Sequence, residues 1–275
     1  MSLSVNTNVG AMIALQYLNK TTSELTATQN HINSGLKIAT AKDNGAVFAI
    51  AQNMRGDVSA FHAVSDSINR AVSALDVAMS AGQAVSDLLV EMKGKAVAAA
   101  DASLDTASRN ALNEDFQALR DQVTSILENA TFNGVNLVDG TSTSLTALVS
   151  ADGGSTITVD GEDMSLGSSI VTISSGATLT SAGTASTMIG TINTSLENVN
   201  AALARLGSSS KQLSIQHEFI GKLIDTLNAG IGNLVDADLA VESARLQSLQ
   251  VKQQLGVQAL SIANSAPAIA LSLFR

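Results

Sequence analysis

The chain has 275 residues, of which 45% are hydrophobic and 3% aromatic, with a single proline and no cysteine. Its formal charge of −9 removes the attraction that nucleic acid or an anionic membrane surface would supply, and the missing cysteines exclude disulfides and thiolate metal sites. The length allows one large domain or two modest ones, and apolar mass drawn from Ala, Leu, Val and Ile suits long helices.

The first residues, MSLSVNTNVGAMIALQYLNK, lack the basic start and continuous apolar stretch of a secretory signal peptide. The apolar run near the C-terminus is too short to span a bilayer, so no membrane insertion is expected. By itself this reads as cytoplasmic, unless export uses a signal that is never cleaved.

Leu15, Leu18, Leu25, Ile32 and Leu36 recur at three-, four- and seven-residue spacings and predict a first helix. INSGLKIATAKDNGA, with Gly35 and Gly45, interrupts it as a turn or extended spoke. A second helix is expected from about Val47 to about Ala100. Met54, Phe61, Ile68, Leu75 and Leu89 lie on a heptad broken only by Gly82, with Val58, Val72 and Met79 beside them. A third runs from about Thr106 to Asn129 through Leu112, Phe116, Leu119, Val123 and Ile126.

From TFNGVNLVDG to about Ser186 the texture changes, and no Lys or Arg occurs between Arg120 and Arg205. LTALVSADGGSTITVDG predicts a β-hairpin turning at Asp152, Gly153 and Gly154. TSTS and SSGATLTSAGTAS read as linker. Val199, Leu206, Leu213, Ile220, Leu227, Leu234 and Val241 then sit seven apart, with Leu203, Ile224 and Ile231 four later, predicting a long coiled-coil helix. A last stripe, Leu239, Leu246, Leu249, Leu255 and Leu260, leads to Pro267, where the final helix is expected to kink or end. The expected fold is mainly α, a long antiparallel helical bundle or coiled coil of the N- and C-terminal halves, with a small β-hairpin region in the middle.

Little chemistry survives inspection. Asp238 and Glu242 share a helix face near Asp236, but Arg245 follows, which reads as a helix start with charge pairs rather than a metal site. His31, His62 and His217 stand in no ligand motif and read as packing or interface residues. AGIGNL and SAGTASTMIG follow no strand and carry no phosphate-loop lysine, and no serine joins a triad. No catalytic residue, cofactor or metal is expected.

The ordered motifs resemble bacterial flagellin. VNTNVGAMIALQYLN, INSGLKIATAKDNGAVFAIAQNMR and SINRAVSALDVAMSA look like the family's opening segments. Phe132, Asn133 and Gly134 carry its FNG signature, and NLVDADLAVESARLQSLQVKQQLGVQALSIANSAPAIALSLFR looks like its closing segment. The resemblance implies a filament subunit with paired terminal helices, no large outer domain, and five regions: 1–36 and 235–275 as inner-tube helices, 37–130 and 187–234 as a helical domain, and 131–186 as hairpin and tip. It also implies self-assembly through Leu3, Val5, Val9, Met12, Ile13, Leu15, Leu18, Leu255, Leu260, Ile262, Ile269, Leu271 and Leu273.

Further implied partners are a flagellar export chaperone and export apparatus, the filament cap and hook-associated proteins. Many flagellins carry Leu-Gln-Arg-x-Arg-Glu-Leu-Ala-Val, recognised by an animal innate immune receptor; here Leu89–Val97 reads LVEMKGKAV, with Glu91 for an arginine and Lys95 for a leucine. A hook-filament junction protein shares terminal patterns, but the completeness of SGLKIATAKDNGAVFAIA and DADLAVESARLQ favours the filament. A secreted coiled-coil adhesin would explain the heptads but not both ends.

Overall fold

The computed structural model describes residues 7–272, with the side chains of 266–272 outside that description. In chain order it holds α1 (Val9–Ser34), α2 (Gly45–Ala99), α3 (Thr106–Asn129), β1 (Ser144–Leu148), β2 (Thr156–Asp160), α4 (Ala182–Val235) and α5 (Leu239–Ser272). The expected class, mainly helical with one small hairpin, is the one the chain adopts. Its residues separate into two compact units: one joins those up to Gly56 with those from Thr226 onward, and the other is Asp57–Asp225.

The second unit holds the larger core. Along α2, Val64, Ile68, Ala71, Leu75, Ala78, Val85, Leu89, Met92, Ala96 and Ala99 are buried at alternating spacings that keep one heptad seam inward. Along α4 the same rule buries Ile192, Ser195, Val199, Ala202, Leu206, Leu213 and Ile220. From α3, Phe116, Val123 and Leu127 join this cluster. Gly82, the gap in the α2 heptad, is where Leu203 and Met164 press closest, since a Cβ there would lie 2.8 Å from Leu203 Cδ2 and 3.3 Å from Met164 Cε.

Each helix start has a local cause. Asp105 Oδ1 accepts from the Ser108 N–H at 2.8 Å and caps α3. Ser181 Oγ accepts from the Thr184 N–H at 3.1 Å while Thr184 Oγ1 accepts from the Ser181 N–H at 3.0 Å, a reciprocal cap for α4. The Arg109 guanidinium closes the α2–α3 turn by donating to the carbonyls of Ala99, Asp101 and Leu104.

The hairpin is antiparallel, with Leu145 opposite Val159 and Ala147 opposite Ile157. Those four face the core while Ser144, Thr146, Thr156, Thr158 and Asp160 stay exposed, the alternation a one-sided strand pair requires. In its loop Asp152 Oδ1 accepts from Ser150 Oγ and the Gly154 N–H, and Gly153 adopts φ 70°.

Three expectations need correction. The serine-rich stretch after the hairpin is packed rather than loose. Met164, Val171, Ile173 and Leu179 are fully buried, the Leu179 N–H donates to Asn113 Oδ1 at 2.6 Å, and Arg205 clasps Glu162 with two 2.6 Å bonds. The α4 heptad stops at Val235, and Val241 is exposed on α5, because Asp238 caps a new helix there with Oδ1 accepting from the Ala240 and Val241 N–H groups. Finally, of the two outcomes expected at Pro267, a kink or an end, the end is overturned, because α5 continues to Ser272. An interior proline removes one hydrogen bond and crowds the carbonyl four residues earlier, and that carbonyl, of Ala263, finds another donor.

Candidate self-assembly surface

The first unit is built on an antiparallel pairing of α1 with α5. Along α1 the sheltered positions are Ala11, Ala14, Leu18, Thr21, Leu25, Thr28 and Ile32, three or four residues apart. Along α5 they are Glu242, Leu246, Leu249, Gln253, Gly256, Leu260 and Ala263, on the same alternation. Both are heptad seams, and both are rich in small and polar residues. Leu18 beds on Gly256, where a Cβ would come within 3.2 Å of Leu18 Cδ1.

Polar contacts mark the two ends of the seam. Near the α1 C-terminus His31 Nδ1 lies 3.3 Å from Glu242 Oε1, while Glu242 Oε2 is buried with no hydrogen-bond partner. The expected Glu242–Arg245 pair does not form, because the Glu242 side chain turns inward toward α1 and Arg245 stays exposed. Near the α1 N-terminus Asn8 Nδ2 donates to the Ala263 carbonyl at 2.7 Å.

Beside the His31 end, the interruption after α1 is stitched to the one after α4. Gly35 takes the left-handed φ of 71° that ends a helix, and its carbonyl accepts from the Ala237 N–H at 2.9 Å. The Lys37 N–H donates to the Val235 carbonyl at 2.8 Å, forming a bridge between Leu36 and Asp236.

In the loop that follows, Asp43 Oδ2 accepts from the N–H groups of Thr40 and Ala39 and from Thr40 Oγ1. The Thr40 N–H foremost, then that of Ala39, holds the Asp43 carboxyl below its ordinary range. The loop's bonds are therefore complete above the usual carboxylate pKa and lost as pH falls through the lowered value. In hydrogen exchange followed from about pH 6 to about pH 2.5, protection of the Ala39 and Thr40 amides is expected to fall several-fold more in the natural chain than in Asp43→Asn, whose carbonyl accepts at every pH. Equal slopes would exclude Asp43 as the cause.

The expected assembly residues divide between seam and outer surface. Leu18 and Leu260 lie half-buried in the seam, whereas Val9, Met12, Ile13, Leu15, Leu255 and Ile262 are exposed, Met12 at 63% and Ile262 at 67%. Tyr17, Val251 and Val257, absent from the sequence reading, are exposed beside them. Leu3, Val5 and Leu273 lie outside the described residues, as do the side chains of Ile269 and Leu271. In the second unit, Glu91 is exposed on α2 and Lys95 is half-buried, its Nζ 2.5 Å from Asp115 Oδ2 of α3.

Among the described residues no cluster of His, Asp and Glu is placed to hold a metal ion, and no helix is long and apolar enough to cross a membrane.

Comparison with known proteins gives the same direction. The model of the bacterial flagellin N-terminal helical region matches residues 5–143, and that of the C-terminal helical region matches 189–274. Flagellin FljK of Caulobacter vibrioides is 56% identical over 272 residues, covering 99% of this chain and 98% of its own. A flagellin of Brucella melitensis is 37% identical, with 99% of each chain covered. A solved chain described as a flagellar hook-associated protein from Vibrio parahaemolyticus has a TM-score of 0.60 at 15% identity over 70% of this chain and all of that one, a likeness of fold alone.

Proposed function

This chain belongs to the bacterial flagellin family and is a structural subunit of the flagellar filament, and we propose that its copies polymerise through the apolar outer face of the α1–α5 pair. The observation that carries this is the placement of apolar residues on the wrong side for a solitary molecule. The α1–α5 seam shelters Leu18, Leu25, Ile32, Leu246, Leu249 and Leu260 among small and polar residues, while Val9, Met12, Ile13, Leu15, Leu255 and Ile262 face solvent. An isolated helix pair has nothing to cover them.

A second copy does. Each such side chain, once buried, contributes about 1.5–3 kcal/mol. A head-to-tail contact between identical subunits that does not close on itself yields a helical filament. We extend the interface to Leu3, Val5, Ile269, Leu271 and Leu273, the apolar residues that continue the two terminal segments.

Export is proposed to follow the family route, without a cleaved signal peptide, with a chaperone on the C-terminal segment and cap and hook-associated proteins as neighbours. A chain with no cysteine and one proline suits threading, since no crosslink and almost no slow prolyl isomer opposes it. Deleting the gene is expected to remove an abundant secreted protein together with swimming. Scarce protein, with filaments shed on its loss, would instead indicate a junction subunit.

The 89–97 stretch is proposed to be a poor ligand for the animal receptor. Glu91 presents negative charge where an arginine would stand, and the Asp115 hydrogen bond that raises the Lys95 pKa, with Glu91 one turn away, holds Lys95 cationic where a leucine would stand. In an NF-κB reporter assay, potency at least about tenfold below that of an arginine-bearing flagellin is expected, with part regained by Glu91→Arg plus Lys95→Leu. Equal potency would refute it.

A further inference from the structure

The chain's one proline lies inside α5, and proline has no N–H to give the carbonyl four residues earlier. That carbonyl belongs to Ala263, a sheltered position of the α1–α5 seam. It accepts instead from Asn8 Nδ2 at 2.7 Å, across 255 residues of sequence. Oδ1 of the same amide accepts from the Ala11 N–H at 3.0 Å and caps α1. Only one orientation of the amide serves both helices, because nitrogen alone donates and oxygen alone accepts.

Near Asn8, few large side chains fix how α1 lies along α5. The seam there is lined by Ala11, Ala14, Gly256 and Ala263, with Leu18 and Leu260 as the large side chains among them. A slip of this end would leave the Ala263 carbonyl without a donor and the Asn8 amide without an acceptor. Half-buried polar groups left without partners discriminate between registers more sharply than contacts between small side chains do.

We propose that Asn8 is a positioning residue for filament assembly: it supplies the hydrogen bond that Pro267 withholds from α5 and so holds the N-terminal end of α1 in the register, set at the other end by the Gly35–Ala237 and Lys37–Val235 bonds, in which both terminal helices present their apolar faces to neighbouring copies. The proposal rests on the assembly reading above. Met12 and Ile262 belong to that outer face, and one is four residues from Asn8 while the other adjoins Ala263. A register change would therefore move them relative to each other.

The test uses the full-length chain in seeded polymerisation, read as the critical concentration. Asn8→Ser and Asn8→Asp both preserve the cap, for which Ser, Asp and Asn rank alike. Serine is too short to reach Ala263 and an ionised aspartate has no proton to donate, so each is expected to raise the critical concentration about tenfold, the equivalent of about 1.4 kcal/mol, with aspartate the worse. In a Pro267→Ala background the helix regains its own N–H, and Asn8→Ser is expected to cost less than about twofold.

Natural behaviour of Asn8→Ser and Asn8→Asp, or an equal cost of Asn8→Ser with and without Pro267, would overturn the proposal. If Pro267→Ala does not polymerise on its own, the ranking in the natural background decides. Capping alone places Asn8→Asp level with the natural chain and above Asn8→Ala, whereas the clasp places it below Asn8→Ala. Failure of the natural chain to add to seeds is a different result, and it would overturn the assembly reading itself.

Discussion

A chain carrying Met12→Glu and Ile262→Glu is expected to be secreted and helical yet to build no filament. Both side chains are exposed in the single molecule, at 63% and 67%, and neither belongs to the α1–α5 seam, so the substitutions leave the chain's own packing alone. Between copies the effect is different. Two apolar contacts worth about 1.5–3 kcal/mol each are lost, and two carboxylates would have to be desolvated without partners. Since about 1.4 kcal/mol is a factor of ten, the critical concentration for seeded growth should rise at least about hundredfold. The measurement is sedimentation of polymer after seeding, with circular dichroism of the soluble fraction as the check on folding. Leu18→Glu is the wrong variant for this purpose, because Leu18 rests on Gly256 and its loss would separate the pair within one chain. Growth of the double variant at the natural concentration would move the interface elsewhere.

The same separation of seam from outer face explains what the sequence made readable. The seams of α2 and α4 in the second unit were legible because their inward positions are the large apolar ones, such as Ile68, Leu75, Leu89, Val199, Leu206 and Leu213. In α1 and α5 the apolar residues lie on both sides. Of the stripes drawn there, Leu18, Leu25, Ile32, Leu246, Leu249 and Leu260 are seam positions, whereas Leu15, Leu239 and Leu255 are exposed and the stripes passed over Ala14, Thr28, Gly256 and Ala263, which line the contact. A helix that must satisfy a partner inside its own chain and others outside it carries no single periodicity. Residues 162–181 were illegible for another reason: Met164, Ile173 and Leu179 are buried from irregular backbone, where Asn113 Oδ1 accepts from the Leu179 N–H and Ser195 Oγ from the Thr172 N–H, and no helical period accompanies them. Asn8 gave no local signal beyond a capping position; its second role depends on a proline at the far end of the chain.

Within the second unit, Gly161→Ala is expected to be far more damaging than Gly82→Ala, although both place a methyl group in occupied space. At Gly82 the obstacles are the ends of Leu203 and Met164, flexible side chains that can turn aside. Alanine there also gains about 1 kcal/mol of helix propensity, which offsets much of the crowding. At Gly161 the new Cβ would collide with the Ser142 carbonyl oxygen, and the Leu137 carbonyl oxygen stands 3.4 Å behind it. Neither oxygen is free to retreat. The Gly161 N–H donates to the Thr143 carbonyl at 2.9 Å, and the Glu162 N–H donates to the Leu137 carbonyl at 2.7 Å, so moving either segment breaks the bonds that close the hairpin's open end. Glu162 is also the partner of Arg205 on α4, which ties the strain to the core helix. A loss of about 3 kcal/mol is expected for Gly161→Ala, against less than about 1 kcal/mol for Gly82→Ala. In a unit of this size that corresponds to a melting temperature lower by about 6–12 °C in scanning calorimetry of the full chain. Similar melting temperatures for the two variants would show that the loop after β2 yields as readily as a side chain, and that backbone contact at Gly161 does not hold the hairpin to α4.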